Sequence, residues 1–275
     1  MKKVLLLFDG PNFSENTLSF VQRLHLLSPL LVTAVFAPIV SLANMWSYAA
    51  TGEAGAPAAP PLGEEGDELM LQHIRRFELL CQASHIPYRV HKDLDDLALP
   101  ALKRESRFAD LLVLSSETFY NGILFSDPFQ YLHNALHDAE CPVLVLPEKS
   151  SFPAHVLIAY DGSRESTYAL RQFAYLFPEF LRLETTLIHS GKGADRKVPE
   201  AGLVGELVGT HFRNATYQHL DLSDRNSFQE WIGQRPDTIL VAGSFSRGGF
   251  SELFRESFCA TIIREHRLPV FVAHH

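Results

Sequence analysis

The chain has 275 residues, 46% of them hydrophobic and 20% charged, an ordinary globular composition for one large or two modest domains. A formal net charge of −8 leaves no broad basic field, so nucleic acid and acidic membranes are poor partners. Cys81, Cys141 and Cys259 are odd in number and form no C-x-x-C pair, which argues against a zinc knuckle or a disulfide framework and suits a reducing cytoplasm.

In chain order, the first apolar run, Val4 to Phe8, reads as a strand. Asp9 ends it well short of the hydrophobic region of a signal peptide, and no apolar stretch is long enough to span a bilayer. Leu18, Val21, Leu24 and Leu27 then recur at helical spacing, and a second strand falls near 31–36. Residues 41–68 are rich in Ala, Gly and Pro and read as a long loop, with a lid over a neighbouring cleft as the alternative. Further strands fall near 88–91, 111–114 and 143–146. The same order then returns: a strand near 156–160, helical spacing through Ala169, Phe173, Leu176 and Phe177, and strands near 185–189, 216–220, 238–241 and 270–273.

The return is a repeat. "VLLLFDGPNFSENTL" and "VLIAYDGSRESTYAL" share an apolar run, Asp-Gly, and then a serine and a leucine at matching places; "DLLVLS" pairs with "DTILVA", and "CPVLVLP" with "LPVFVAH". Two domains follow, 1–148 with its long loop and 153–275. Continuous apolar strands alternating with helices predict an α/β fold: two doubly wound parallel sheets in a pseudo-symmetric pair, with right-handed crossovers. With the strand order 3-2-1-4-5, ligands bind beyond the carboxyl ends of strands one and four. Those ends are Asp9 with 115–128 in the first copy and Asp161 with 243–257 in the second.

Asp-Gly after strand one, the loop "GSFSRGGFSELF" and the Pro-Val-x-Val endings, repeated in order, resemble the universal stress protein family in tandem form. The resemblance implies adenine near the strand-one Asp and ribose and phosphates in the loop. ATP-binding members of that family space the loop as Gly, two residues, Gly, nine residues, Gly, then Ser or Thr. In the second copy Gly243 and Ser257 match the ends of that pattern, while Ser246 and Glu256 replace its inner glycines. A serine where backbone must approach phosphate costs about 1 kcal/mol. A carboxylate about 5 Å from a phosphate charge costs about 3 kcal/mol at an effective dielectric of about 20, so triphosphate binding weakens by about a thousandfold. Arg247 and Arg255 could offset part of this. The candidate ligand residues are therefore Asp161, Gly243, Ser246, Arg247 and Ser257, with ATP or AMP as the ligand the resemblance names and no cofactor required. Asp161 has a local alternative as a turn or helix cap.

The first copy departs further. Ser116, Phe119, Phe129 and Gln130 stand at the four motif positions, Gly122 remains, and Glu117 and Asp127 add negative charge to a loop without Lys or Arg. No phosphate cradle is expected there, and the aromatic residues of 119–131 read as packing or as a surface for a hydrophobic partner. "SFSRG" approaches the G-x-S-x-G elbow of hydrolases, but Ser244 replaces its first glycine; His274 and His275 end the chain, and no P-loop is present. A hydrolase using Ser246 is thus the least favoured reading. The expectation is a non-catalytic cytoplasmic stress-response or regulatory protein acting through protein or small-ligand binding, with an adenine-nucleotide sensor as the alternative. In the resembled family strand five mediates dimerisation, so Val143, Val145, Val270 and Val272 imply an intrachain pseudo-dimer, with a homo-oligomer as an extension.

Overall fold

The computed structural model describes residues 1–9, 13–37, 64–92, 98–117, 128–189, 197–220, 230–243, 262–263 and 265–273. All ten expected strands are present, each end within two residues of its expected place. The chain divides into two units, Met1–Cys141 and Pro142–His275.

In the first unit β1 (Lys2–Asp9), β2 (Leu30–Ala37), β3 (Tyr88–Lys92) and β4 (Leu111–Ser115) pair in parallel, in the order β3-β2-β1-β4. Val4, Leu5 and Leu6 are sealed on successive positions of β1, so both faces of the strand are covered, as a parallel sheet requires. Helix α1 (Glu15–Leu27) starts where Ser14, in an extended conformation, accepts a hydrogen bond from the Thr17 N–H, with Glu15 favourably placed in the first turn. Leu18, Val21 and Leu24 form its buried stripe; Leu27, expected to continue it, is 56% exposed because the helix ends there.

Helix α2 is Glu64–Ala83, so the expected loop 41–68 is corrected at its end, where the backbone is helical from Glu64. Residues 41–63 lie outside the described residues. Gln22 of α1 donates to the Leu80 carbonyl and the Ser84 hydroxyl of the α2 end, tying the two helices together. Helices α3 (Ala98–Ser106) and α4 (Pro128–Asp138) pack on each other.

The second unit runs β5 (Val143–Leu146), β6 (His155–Ala159), α5 (Arg164–Leu176), β7 (Glu184–His189), α6 (Ala201–His211), β8 (Asn214–His219), β9 (Thr238–Gly243) and β10 (Val270–Ala273). Its strands lie in the order β5-β10-β9-β6-β7-β8, parallel except for the β5–β10 pair. From β10 to β8 this is the expected order of one doubly wound copy. Strand β5, which the repeat assigns to the first copy, clusters instead with the second unit. There it forms an antiparallel ladder with β10, Val270 opposite Val145 and Val272 opposite Val143. Phe173 of α5 and its C-cap residue Phe177 pack edge-on against Phe271 of β10, at centroid distances of 5.4 and 5.7 Å, and fill the core between helix and sheet.

Candidate functional site

The turn from β6 into α5 is built almost wholly from its own side chains. Asp161 accepts a hydrogen bond from the Ser163 N–H at Oδ1 (2.9 Å), which folds the backbone back at Gly162. Gly162 has φ +80, and a Cβ there would lie 2.5 Å from Pro199 Cβ, so the turn needs glycine on both counts. Ser163 caps α5 by accepting from the Ser166 N–H, and its carbonyl accepts from the Thr167 N–H. The local role open to Asp161 is thus present: one of its oxygens organises the turn.

Strand register brings Gly243 to the same end. Val241 of β9 lies opposite Ile158 of β6, and two residues further on Gly243 comes level with Tyr160, beside Asp161. A Cβ on Gly243 would sit 2.6 Å from the Ser166 nitrogen and 2.7 Å from the Glu165 carbonyl carbon. This glycine therefore has a packing reason of its own, because β9 ends directly against the first turn of α5. Of the expected ligand residues, Asp161 and Gly243 are brought together; Ser246, Arg247 and Ser257, with Glu256 and Arg255, lie outside the described residues.

Three further groups stand at this end. Tyr160 is 2% exposed and His189, the last residue of β7, is 7% exposed. Glu200 precedes α6 in a left-handed conformation (φ 48) and makes no side-chain cap, although non-glycine residues rarely adopt that backbone. Burial pushes the Tyr160 phenol up, a hydrogen bond with the Thr167 side chain opposes this, and the negative charges of Glu200 and Asp161 push it up again; the net direction is upward. His189 Nδ1 lies 3.2 Å from the Tyr160 carbonyl oxygen, and its ring meets that of His219, its register partner on β8, at 6.2 Å. Tyr160, His189 and His219 each fall at or next to the end of an expected strand, and the rule that ligands sit at carboxyl ends was the signal available for them. Glu200 carries no comparable local signal.

The matching end of the first unit is aromatic. Phe8 stacks on Phe13 (4.8 Å between centroids) and on Phe36 (5.2 Å), and Phe13 meets the His73 ring at 5.6 Å. A surface cavity of about 270 Å³ beside them is lined by Phe13, Glu15, Gln72, His73 and Arg76, with Arg76 and Glu15 in an ion pair. Ser116, at the first motif position, is buried. Phe119, Gly122 and Asp127 lie outside the described residues, as do the side chains of Phe129 and Gln130 within α4.

Among the described residues no cluster of His, Cys, Asp and Glu could hold a metal ion, and no helix is long and apolar enough to cross a membrane. No family model and no curated protein matches the sequence. Solved structures do match. A universal stress protein from Archaeoglobus fulgidus DSM 4304 is similar over 100% of this chain and 96% of its own, with a TM-score of 0.68 and 17% identity. A protein described as a candidate universal stress protein from Pseudomonas aeruginosa UCBPP-PA14 is similar over 100% of this chain and 93% of its own, with a TM-score of 0.52 and 12% identity. The chain has the fold of the universal stress proteins, an α/β architecture of doubly wound sheets.

Proposed function

We propose that this protein acts by binding rather than turnover, as a non-catalytic cytoplasmic stress-response or regulatory protein. In this reading the crevice at the carboxyl ends of β6 and β9 takes a small ligand without a triphosphate. The observation that carries the reading is the acidity of that end: the charges acting on the buried Tyr160 phenol are those of Glu200 and Asp161. At about 5 Å a carboxylate opposes a phosphate charge by about 3 kcal/mol at an effective dielectric of about 20 and by about 1 kcal/mol in water, so the half-buried Asp161 counts for more than the exposed Glu200. Helix α5 offers little compensation, since the Ser166 N–H is bonded to Ser163 and backed by the end of β9 at Gly243. Ser246 and Glu256, where the resembled pattern has glycines, push the same way.

A second reading, an ATP or AMP sensor, draws on the meeting of Asp161 with Gly243 and on Arg247, Arg255 and Ser257 in the loop that follows. The intrachain pseudo-dimer that the resemblance implies, a protein partner or a homo-oligomer is compatible with either reading. Native mass spectrometry of gently purified protein separates them. The first reading expects no retained adenosine triphosphate; a co-purified ATP mass would overturn it in favour of the sensor.

A further inference from the structure

We propose that the outer edge of β8 is a self-association surface, to which a second copy of this chain adds its own β8 in antiparallel fashion. The proposal is independent of what the crevice binds. Among the described residues β8 ends the strand order of its unit, with β7 as its neighbour. The Leu220 N–H donates to the His189 carbonyl at 2.9 Å. Main-chain directions alternate along a strand, so residues 214, 216 and 218 also turn their N–H and C=O groups toward β7. Ala215 and Tyr217 therefore turn theirs to the outer edge. Asn214, Thr216, Tyr217 and Gln218 are exposed, Tyr217 at 48%.

An outward row of N–H and C=O groups recruits another strand unless the sequence blunts it with charge, proline or a covering element. The first unit follows that rule, since its edge strand β3 carries Arg89 and Lys92. Strand β8, NATYQH, has no Lys, Arg, Asp, Glu or Pro. Helix α6 packs on it, with Gly205 beside the Tyr217 hydroxyl; that helix carries one carboxylate, Glu206, and no Lys or Arg, and it leaves Leu203 66% exposed. An unblunted edge thus lies next to exposed apolar surface.

Neutrality selects the occupant. A two-fold interface sets one surface against itself, so any charge on it meets its own kind. On a chain of net charge −8, a strand without formal charge is where two copies approach with least repulsion. The register that uses both outward residues sets Ala215 of one copy against Tyr217 of the other, each pair exchanging two N–H···O bonds. Thr216 then lies on the two-fold axis and faces Thr216 of the second copy, in the closer, non-hydrogen-bonded kind of pair.

Sedimentation velocity of the full chain over a range of concentrations, with cysteines placed in β8, tests this. The parent is expected to reach twice the mass of one chain as its concentration rises. Ala215→Pro removes an outward N–H and spares the donors of the β7–β8 ladder, so it should stay monomeric where the parent is dimeric, with circular dichroism confirming its fold. Thr216→Cys should give a disulfide-linked dimer on mild oxidation. Gln218→Cys, which faces position 214 of the second copy, should give none beyond the level of the parent. A parent that is monomeric throughout overturns the proposal; if it also carries another polypeptide that Ala215→Pro releases, the edge takes a strand of a different protein. A dimer that persists in folded Ala215→Pro, or that cross-links as readily through Gln218→Cys as through Thr216→Cys, overturns it too. If Ala215→Pro does not fold, the two cysteine variants decide, since both keep every backbone donor.

Discussion

A Cβ on Gly243 would press on backbone atoms of the Glu165–Ser166 peptide, and backbone in the first turn of a capped helix cannot move aside as a side-chain tip can. Gly243→Ala should therefore destabilise the fold by about 1–3 kcal/mol, read as a lower urea midpoint with unchanged slope. An unchanged midpoint would mean that β9 is not seated on α5 as described. The two cysteines described, Cys81 and Cys141, make a second test at this scale. Burial raises both thiols from 9.0 to about 12. The folded state thus keeps its thiol protons at a pH where the unfolded chain loses them. The contribution is fully present below pH 9 and is lost as pH rises from 9 to about 12, by about 1.4 kcal/mol per unit for each thiol. Urea unfolding at pH 8 and pH 10 should show this loss, and the Cys81→Ala/Cys141→Ala double variant should show less of it. Asp161 and Gly243 were legible because strand, Asp-Gly and glycine loop are local patterns. The partners that give Gly243 its packing role are distant in sequence, and the left-handed Glu200 has no signature in its residue type.

Among the elements, the antiparallel ladder of β5 and β10 is the one whose sequence pattern and structure meet most directly. Val143, Val145, Val270 and Val272 were marked by their alternation, and the register sets them opposite one another in pairs. Val272 is sealed, so Val272→Asp buries a carboxylate without a partner and should cost at least about 3 kcal/mol, with aggregation or loss of the cooperative transition. A variant as stable and monodisperse as the parent would show that the ladder does not form. The strands were legible throughout because each is a short, continuous apolar run between breakers, a signal that needs no tertiary knowledge. Which unit β5 joins was not legible. The repeat counts it with the chain that precedes it, whereas the division into units groups it with the second, where it ladders with a strand near the other end of the sequence. The start of α2 was obscured for a different reason: its acidic first turn follows an Ala-, Gly- and Pro-rich stretch and shares that stretch's lack of apolar periodicity.

For the molecule as a whole, each unit carries an end where a doubly wound sheet would receive a ligand, and the two ends differ in chemistry. One is an aromatic stack of Phe8, Phe13 and Phe36, the other a polar end with Tyr160, Asp161, His189 and Glu200. The two units thus differ in chemistry at the end where a doubly wound sheet would receive a ligand. The net charge of −8 adds a long-range term against polyanionic ligands, in the same direction as the local carboxylates. Titration calorimetry of the intact protein with ATP and with adenosine, at one ionic strength, bears most directly on the proposal that the second unit binds without a triphosphate. Adenosine should bind more tightly than ATP by at least about tenfold, with the gap narrowing as salt screens the carboxylates. ATP binding at micromolar affinity and tighter than adenosine would contradict it, and would mean that Arg247 and Arg255 outweigh Asp161, Glu200 and Glu256.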